Sequence, residues 1–416
     1  MSWSPSTPER AELCARRALT HIEVLASKIG ARPSGSSAER QALDYVSGLL
    51  SGWGYEVQRE AVAFAPTPRL NLPYLLGAVA LGIAGWVSRG FPWFALTLPF
   101  FFMILPQWSR WWVQNRKPSR AGENLLARPE GQQPEPPALL FCAHIDTASA
   151  VPLHHPWLLR LYSRTLDILQ RFAWMIFALT LLQAWGWQVA EGLRYTVATL
   201  GSLGGLWLIG LQLIQAPAEE AAYSPGANDN ASGVAVLLVL AEELAKQALS
   251  QQAIAFLFTT AEENGLFGGR DFVKAHPEWA NTTAVVCVDM VGKGEVLYYV
   301  AKEGVFNPLY TDRELQQAFL LANPSLQPLW HTLRSGDYAP FCQAGFRAIS
   351  LESGGKSLTD WSYHTIYDTL DKVDPEMLKQ VIRTLLAFLE QNPLYQKPQE
   401  QTSIQERQHD PLGDKQ

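Results

Sequence analysis

Apolar positions recur at helical spacing over residues 8 to 31, and the polar run RPSGSS at 32 to 37 interrupts them and offers caps for a following helix. That second helix is predicted over ERQALDYVSGLLSGWG, ending at Gly54, before the strand-like alternation of YEVQREAVAF. Further along, the pattern changes character. ALLFCA (138 to 143), AIAFLFT (253 to 259), AVVCVDM (284 to 290) and AIS (348 to 350) are continuous apolar runs too short for core helices, so they read as strands buried on both faces. Helical stretches at 232 to 248, 312 to 322 and 375 to 391 alternate with them. The alternation predicts an α/β fold, a mixed and mostly parallel sheet flanked by helices on both faces. The polar tail, residues 396 to 416, is predicted to be disordered.

Two regions do not suit such a domain. Residues 70 to 88 and 90 to 109 are uncharged and separated by Arg89; residues 172 to 190 and 195 to 218 form a second pair, separated by Glu191 and Arg194. Each stretch is near the ~20 residues that cross a bilayer core. The expectation is two transmembrane hairpins, 70 to 109 and 172 to 218, inserted into one domain built from 8 to 66, 120 to 160 and 219 to 395. Trp108, Trp111 and Trp112 beside Arg110, Arg116 and Lys117 have the composition of an interfacial belt. Arg69, Arg110, Arg116, Lys117, Arg120, Arg160, Arg164 and Arg171 flank the hairpin bases, whereas only Arg89 and Arg194 lie at the tips. The positive-inside rule then places the domain in the cytoplasm, with membrane lipid as a partner. The N-terminal stretch, which lacks an apolar secretory core, agrees.

Charge and cysteine content narrow the picture. A net charge of −6, from 33 basic and 39 acidic residues, is not the positive field that nucleic-acid binding needs. Cys14, Cys142, Cys287 and Cys342 are scattered without a C-x-x-C pair, as expected of free thiols in a reducing compartment.

Candidate chemistry gathers at strand exits. One apolar run ends in His144 and Asp146; side chains two apart on a strand share a face, so Asp146 can reach the imidazole and fix a metal-binding tautomer. Asp229 stands in a Gly/Asn turn before a helix with Ser232 as its expected N-cap. Glu262 and Glu263 follow a second run, Asp289 a third, and His364 precedes the last helix. Singly, each has an ordinary structural explanation. Jointly, they would meet at the sheet edge where open α/β folds place their sites.

RPSGS, AHIDT, GANDNASG, TTAEENGLFGG, VDMVG and YHTIYDTLDKV stand in one order, and that series resembles the di-zinc aminopeptidase family that includes aminopeptidase Y, the secreted bacterial leucyl aminopeptidases, glutamate carboxypeptidase and, more remotely, glutaminyl cyclase. The resemblance covers about residues 10 to 66 and 120 to 395 apart from the second hairpin. It implies two zinc ions, replaceable by cobalt or manganese: His144 and Asp289 on one, Glu263 and His364 on the other, Asp229 bridging. It also implies Glu262 as general base towards a hydroxide shared by the ions, Asp146 orienting His144, and Tyr363 polarising the carbonyl of a peptide substrate. Asp337, in SGDYAPF, matches a family pattern with no role attached. Two dications ~3.5 Å apart at an effective dielectric of ~20 repel by roughly 19 kcal/mol, so the three carboxylates and the hydroxide are needed to hold them.

The chain departs from the family in two places, the insert of about 80 residues between His144 and Asp229 and the first hairpin between two early strands, both tolerable because loop-closure cost grows slowly with length. Aminopeptidase action is the expectation; carboxypeptidase or dipeptidase action, side-chain preference and oligomeric state have no signature in the sequence. Two other readings remain: a glutaminyl-cyclase-like acyl transfer on a single zinc, and a non-catalytic membrane receptor or scaffold with this fold.

Overall fold

The computed structural model describes residues 7–67, 111–131, 136–151, 191–214, 222–246, 254–304, 308–331, 334–355 and 362–392, with scattered positions between 75 and 109 and between 155 and 185. Helix α1 (Pro8–Ile22) has proline in its first turn, where no N–H is missed, and runs on as a π-helical segment, Glu23–Ile29, closed by Gly30 at φ +84. The polar run then caps α2 (Ser37–Gly52), Ser36 Oγ accepting the Glu39 N–H at 3.1 Å. Strands β1 (Tyr55–Phe64), β2 (Arg120–Pro129) and β3 (Leu139–His144) come next, then α3 (Glu191–Ile214) and α4 (Ser232–Ala245). After them come β4 (Ile254–Thr259), α5 (Phe267–Ala275), β5 (Ala284–Val288), β6 (Val296–Glu303) and β7 (Leu309–Tyr310). The remainder is α6 (Arg313–Ala322), β8 (Gln327–His331), α7 (Tyr338–Gln343), β9 (Arg347–Gly354) and α8 (Pro375–Gln391).

The sheet has the order β1-β2-β4-β3-β5-β9-β6-β7, with β8 beside β6. Its centre, β4-β3-β5-β9, is parallel, while β1 and β2 pair antiparallel on one side and β6 runs antiparallel to β9 on the other. This is the mixed sheet expected from the apolar runs, with a parallel centre and antiparallel pairings on both sides. Alternation within a strand serves two cores: Leu139, Phe141 and Ala143 face the layer of α1, α2, α4, α6 and α8, whereas Leu140 and Cys142 face α5 and α7. His144 pairs with Thr259 and Cys142 with Cys287, so the C-terminal ends of β3, β4 and β5 finish nearly level. Their exits form one edge.

All four cysteines are free, as anticipated. The first hairpin expectation, 70 to 109, lies largely outside the described residues, and the tail 396 to 416 wholly so. In the second, α3 is a 24-residue helix with Glu191 and Arg194 in its first turn. Among the described residues no helix is long and apolar enough to cross a membrane, so the expected spanning segments are not seen there. Leu193, Leu200, Leu203 and Leu206 of α3 are exposed, and Trp86 lies against Tyr195 at 5.5 Å between ring centroids, joining the two inserted regions.

Candidate metal centre

His144 is the last residue of β3, held in line by the Ile145 N–H donating to Thr259 O at 2.8 Å. Ahead of α4, residues 227–231 form a tight turn containing a cis Asp229-Asn230 bond. The Asp368 carboxylate accepts the N–H groups of Asn228 (2.9 Å) and Asp229 (3.0 Å). Asn230, rather than Ser232, caps α4: its Oδ1 accepts from Gly233 N at 2.9 Å and from Met290 N at 3.2 Å. Ser232 instead donates to Asn228 O and accepts from Val291 N. The turn carrying Asp229 is thereby tied to the β5 exit carrying Asp289. Gly233 permits this approach, because a Cβ there would lie 2.2 Å from Val288 O.

Asp146 does more than the H-x-D spacing predicts. Its Oδ1 is 3.6 Å from His144 Nδ1, which lies nearer the Asp146 backbone oxygen at 3.2 Å. The carboxylate accepts the backbone N–H groups of Glu262 and Glu263, each at 3.2 Å, and the Ser34 hydroxyl at 2.8 Å. One buried acid therefore sets both the imidazole and the turn that presents the glutamate pair.

The predicted side chains converge. His144 Nε2 is 3.2 Å from Asp229 Oδ1 and 3.3 Å from Asp289 Oδ1. His364 Nε2 is 3.2 Å from the other Asp229 oxygen, Oδ2, and 3.1 Å from Glu263 Oε2. Ligand atoms of His144, Asp229 and Glu263 all fall within 4.8 Å of one another. Ligands at about 2.0–2.2 Å from a tetrahedral zinc stand roughly 3.3–3.6 Å apart, close to the separations seen here. His364 Nε2 and Glu263 Oε1 are buried without a hydrogen-bond partner, although His364 lies so near Glu263. Close, misaligned and unsatisfied donor atoms are what a shared cation would resolve, and the set of imidazoles and carboxylates suits zinc.

The electrostatics agree. Burial disfavours the Asp229 carboxylate, yet the two imidazoles outweigh it and hold the group well below the usual carboxylate range. Burial also opposes the His364 imidazolium, but Glu263 and Asp229 raise it to about 10. Burial raises Glu263 to about 7 against the pull of His364. It raises Glu262 well above the ordinary glutamate value, with His144 pulling the other way. The Glu262 carboxylate makes no hydrogen bond or ion pair among the described residues, which leaves it free for a proton.

Non-glycine residues at positive φ mark the same edge: Ala261 (+52), Met290 (+51) and His364 (+54) each adjoin or are a predicted site residue. Such conformations cost about 1–3 kcal/mol and persist where surrounding contacts impose them. The Tyr363 ring stacks on that of His364 at 3.7 Å, and the Arg334 guanidinium lies 4.2 Å over Tyr363.

Sequence reasoning gave no role to several supporting residues. Asp337 is buried beside the centre, with Thr259 Oγ1 donating to one oxygen and the other unpartnered, and burial raises it to about 6. Glu39, which burial raises to about 8, accepts from Gly35 N and from Thr260 Oγ1. Arg32 donates to the carbonyl oxygens of Ile145, Leu25, Gly30, Pro225 and Gly226. Arg32 and Asp368 sit inside two of the motifs, and that was their signal; three of the five backbone partners of Arg32 and both of those of the Asp368 carboxylate are more than a hundred residues away in sequence.

Residues 213–389 match the family described as Peptidase family M28. Aminopeptidase YwaD of Bacillus subtilis (strain 168) is 31% identical over 168 residues, 38% of this chain and 36% of that relative, so the chain spans about a third of its length. Among solved structures, the zinc aminopeptidase BSAP from Bacillus subtilis has a similar fold, with a TM-score of 0.53 at 16% identity over 92% of this chain and 97% of the other. The glutaminyl cyclase of Porphyromonas gingivalis gives 0.53 at 15% identity over 90% and 97%. The match to peptidase family M28 takes in the stretch that holds Asp229, Glu263, Asp289 and His364, and the solved structures share the fold.

Proposed function

We propose that the chain is a zinc-dependent exopeptidase, an aminopeptidase, with two metal subsites sharing Asp229. The observation that carries this is the Asp229 carboxylate, whose two oxygens face two different histidines, each with its own second carboxylate. His144 and Asp289 would hold one zinc and Glu263 and His364 the other. Two half-sites bridged in this way favour a pair of ions over the single zinc of a cyclase-like acyl transfer, and an intact ligand set weighs against a non-catalytic scaffold.

When bound, zinc would polarise the scissile carbonyl and lower the pKa of water at the centre. Glu262 then takes a proton from the attacking water and returns it to the leaving nitrogen as the C–N bond breaks, which yields a carboxylate and a free amine. Asp146 keeps Glu262 and Glu263 in place through their backbone N–H groups. Tyr363, packed on His364, would donate its phenol O–H to the carbonyl oxygen.

A membrane association goes with this reading. The exposed leucines of α3 and the Trp86–Tyr195 contact support a lipid-facing insert, and the basic hairpin bases support a cytoplasmic catalytic domain. The test of function uses zinc-loaded protein with peptides bearing free or acetylated N-termini. Cleavage confined to free N-termini is expected, and Glu262→Gln should keep its zinc but lose turnover by about 10²–10⁴-fold. Near-normal turnover by Glu262→Gln would remove Glu262 from its role.

A further inference from the structure

The rim of the centre carries a cation that the proposed chemistry does not use. Arg334 is exposed and pairs with no carboxylate among the described residues, while its guanidinium rests on the Tyr363 ring. The turn beneath it is fixed: Lys293 Nζ donates to Ser362 Oγ at 2.7 Å, and Ser335, the neighbour of Arg334, donates to Glu303 Oε2 at 2.7 Å. Tyr363 in turn covers the His364 ring. The two ring separations bound the guanidinium carbon to within about 8 Å of the His364 imidazole, roughly the span of two extended residues.

A pair of zinc ions would roughly neutralise the acids at the centre and leave Arg334 as a positive charge over the approach. Guanidinium groups take carboxylates through paired N–H donors, and a tyrosine face underneath holds the fork in plane. We infer that Arg334 is a specificity-determining residue that receives a substrate carboxylate within two residues of the scissile bond. The favoured substrates would be short peptides carrying that charge, supplied by their own C-terminus or by an acidic side chain. This inference rests on the metallopeptidase reading and narrows its substrate class.

The test compares Ala-Leu, Ala-Leu amide and Ala-Asp amide with the zinc-loaded enzyme, so that the two sources of the carboxylate are separated from each other and from a neutral control. Wild type should show a KM for at least one charged peptide about tenfold or more below that for Ala-Leu amide, and whichever charged peptide is favoured identifies the source. Arg334→Gln should raise that KM by about 10- to 100-fold, leave kcat and the neutral peptide unchanged, and be partly rescued by Arg334→Lys. Calorimetric affinities in a Glu262→Gln background should fall in the same pattern without any turnover. Equal KM for charged and neutral peptides, or equal loss on both in Arg334→Gln, overturns the inference alone. Absence of any hydrolysis by wild type would remove the peptidase reading and this inference with it.

Discussion

Replacing Arg32 probes how the centre is built without touching a proposed ligand. Its side chain is 1% exposed and donates to five backbone carbonyl oxygens at 2.9–3.1 Å. Two of them, Pro225 and Gly226, lie just before Asp229, and a third, Ile145, follows His144. Burial costs the guanidinium enough to lower it to about 10, offset by Asp368, Asp146, Asp229 and Glu39 around it. Five charge-assisted bonds at ~1.5–3 kcal/mol each would sum far too high, because the variant recovers the desolvation cost of the cation. Removing one member of a buried charge network costs about 3–5 kcal/mol, and that is the expectation for Arg32→Met. Urea unfolding of metal-free protein, followed by tryptophan fluorescence, measures it. Arg32→Lys, with three donors and no fork, should lose part of the same stability. A change below about 1 kcal/mol in Arg32→Met, with zinc affinity unaltered, would refute the idea that this guanidinium organises the two loops.

Zinc binding should release protons. The metal-free His364 holds its proton up to about 10 and the His144 value is raised as well, opposed by burial but sustained by Asp146, Asp229 and Asp289, whereas both need neutral Nε2 to ligate. Affinity should therefore rise with pH between about 7 and 10, and calorimetry in two buffers of different ionisation enthalpy should report net release; proton uptake would contradict the ligand assignment. Gly233→Ala, which sets a Cβ 2.2 Å from Val288 O and 2.4 Å from Asn230 Oδ1, should cost about 1–3 kcal/mol and weaken zinc binding, seen as a lowered melting temperature that added zinc restores less than in wild type. Leu203→Glu with Leu206→Glu should reduce recovery of the full chain in sedimented lipid vesicles and leave peptide turnover in detergent intact; undiminished recovery would count against the lipid-facing role of α3.

What could be read from the sequence follows the physics of burial. Strands β3, β4 and β5 are covered on both faces, so they appear as unbroken apolar runs, and the polar residue at each exit marks the edge of the site. Strand β2, RAGENLLARP, shows no such run: its identity comes from ten residues of pairing with β1, a long-range fact. Likewise β6 mixes buried with half-buried positions and β8 buried with exposed ones near the sheet margin, and both carry a weaker signal. The five proposed ligand positions could be found because His, Asp and Glu stand out where apolar strands end, at His144, Glu263 and Asp289, and in the turns ahead of helices, at Asp229 and His364. Arg32, Glu39 and Asp368 could not be assigned, since each acts on a group more than a hundred residues away, backbone for Arg32 and Asp368 and the Thr260 hydroxyl for Glu39, which no local pattern encodes. The Ser232 cap failed for a related reason. Asn230 reaches Gly233 and Met290 together, so tertiary contact decided between two good local caps.

The bridging role of Asp229 is tested most directly by counting zinc per chain after equilibrium dialysis at fixed free zinc. Two ions are predicted in the wild-type chain, and fewer than one in Asp229→Ala, because both half-sites lose the oxygen that each histidine faces. One ion in wild type, or two retained without Asp229, would contradict the account.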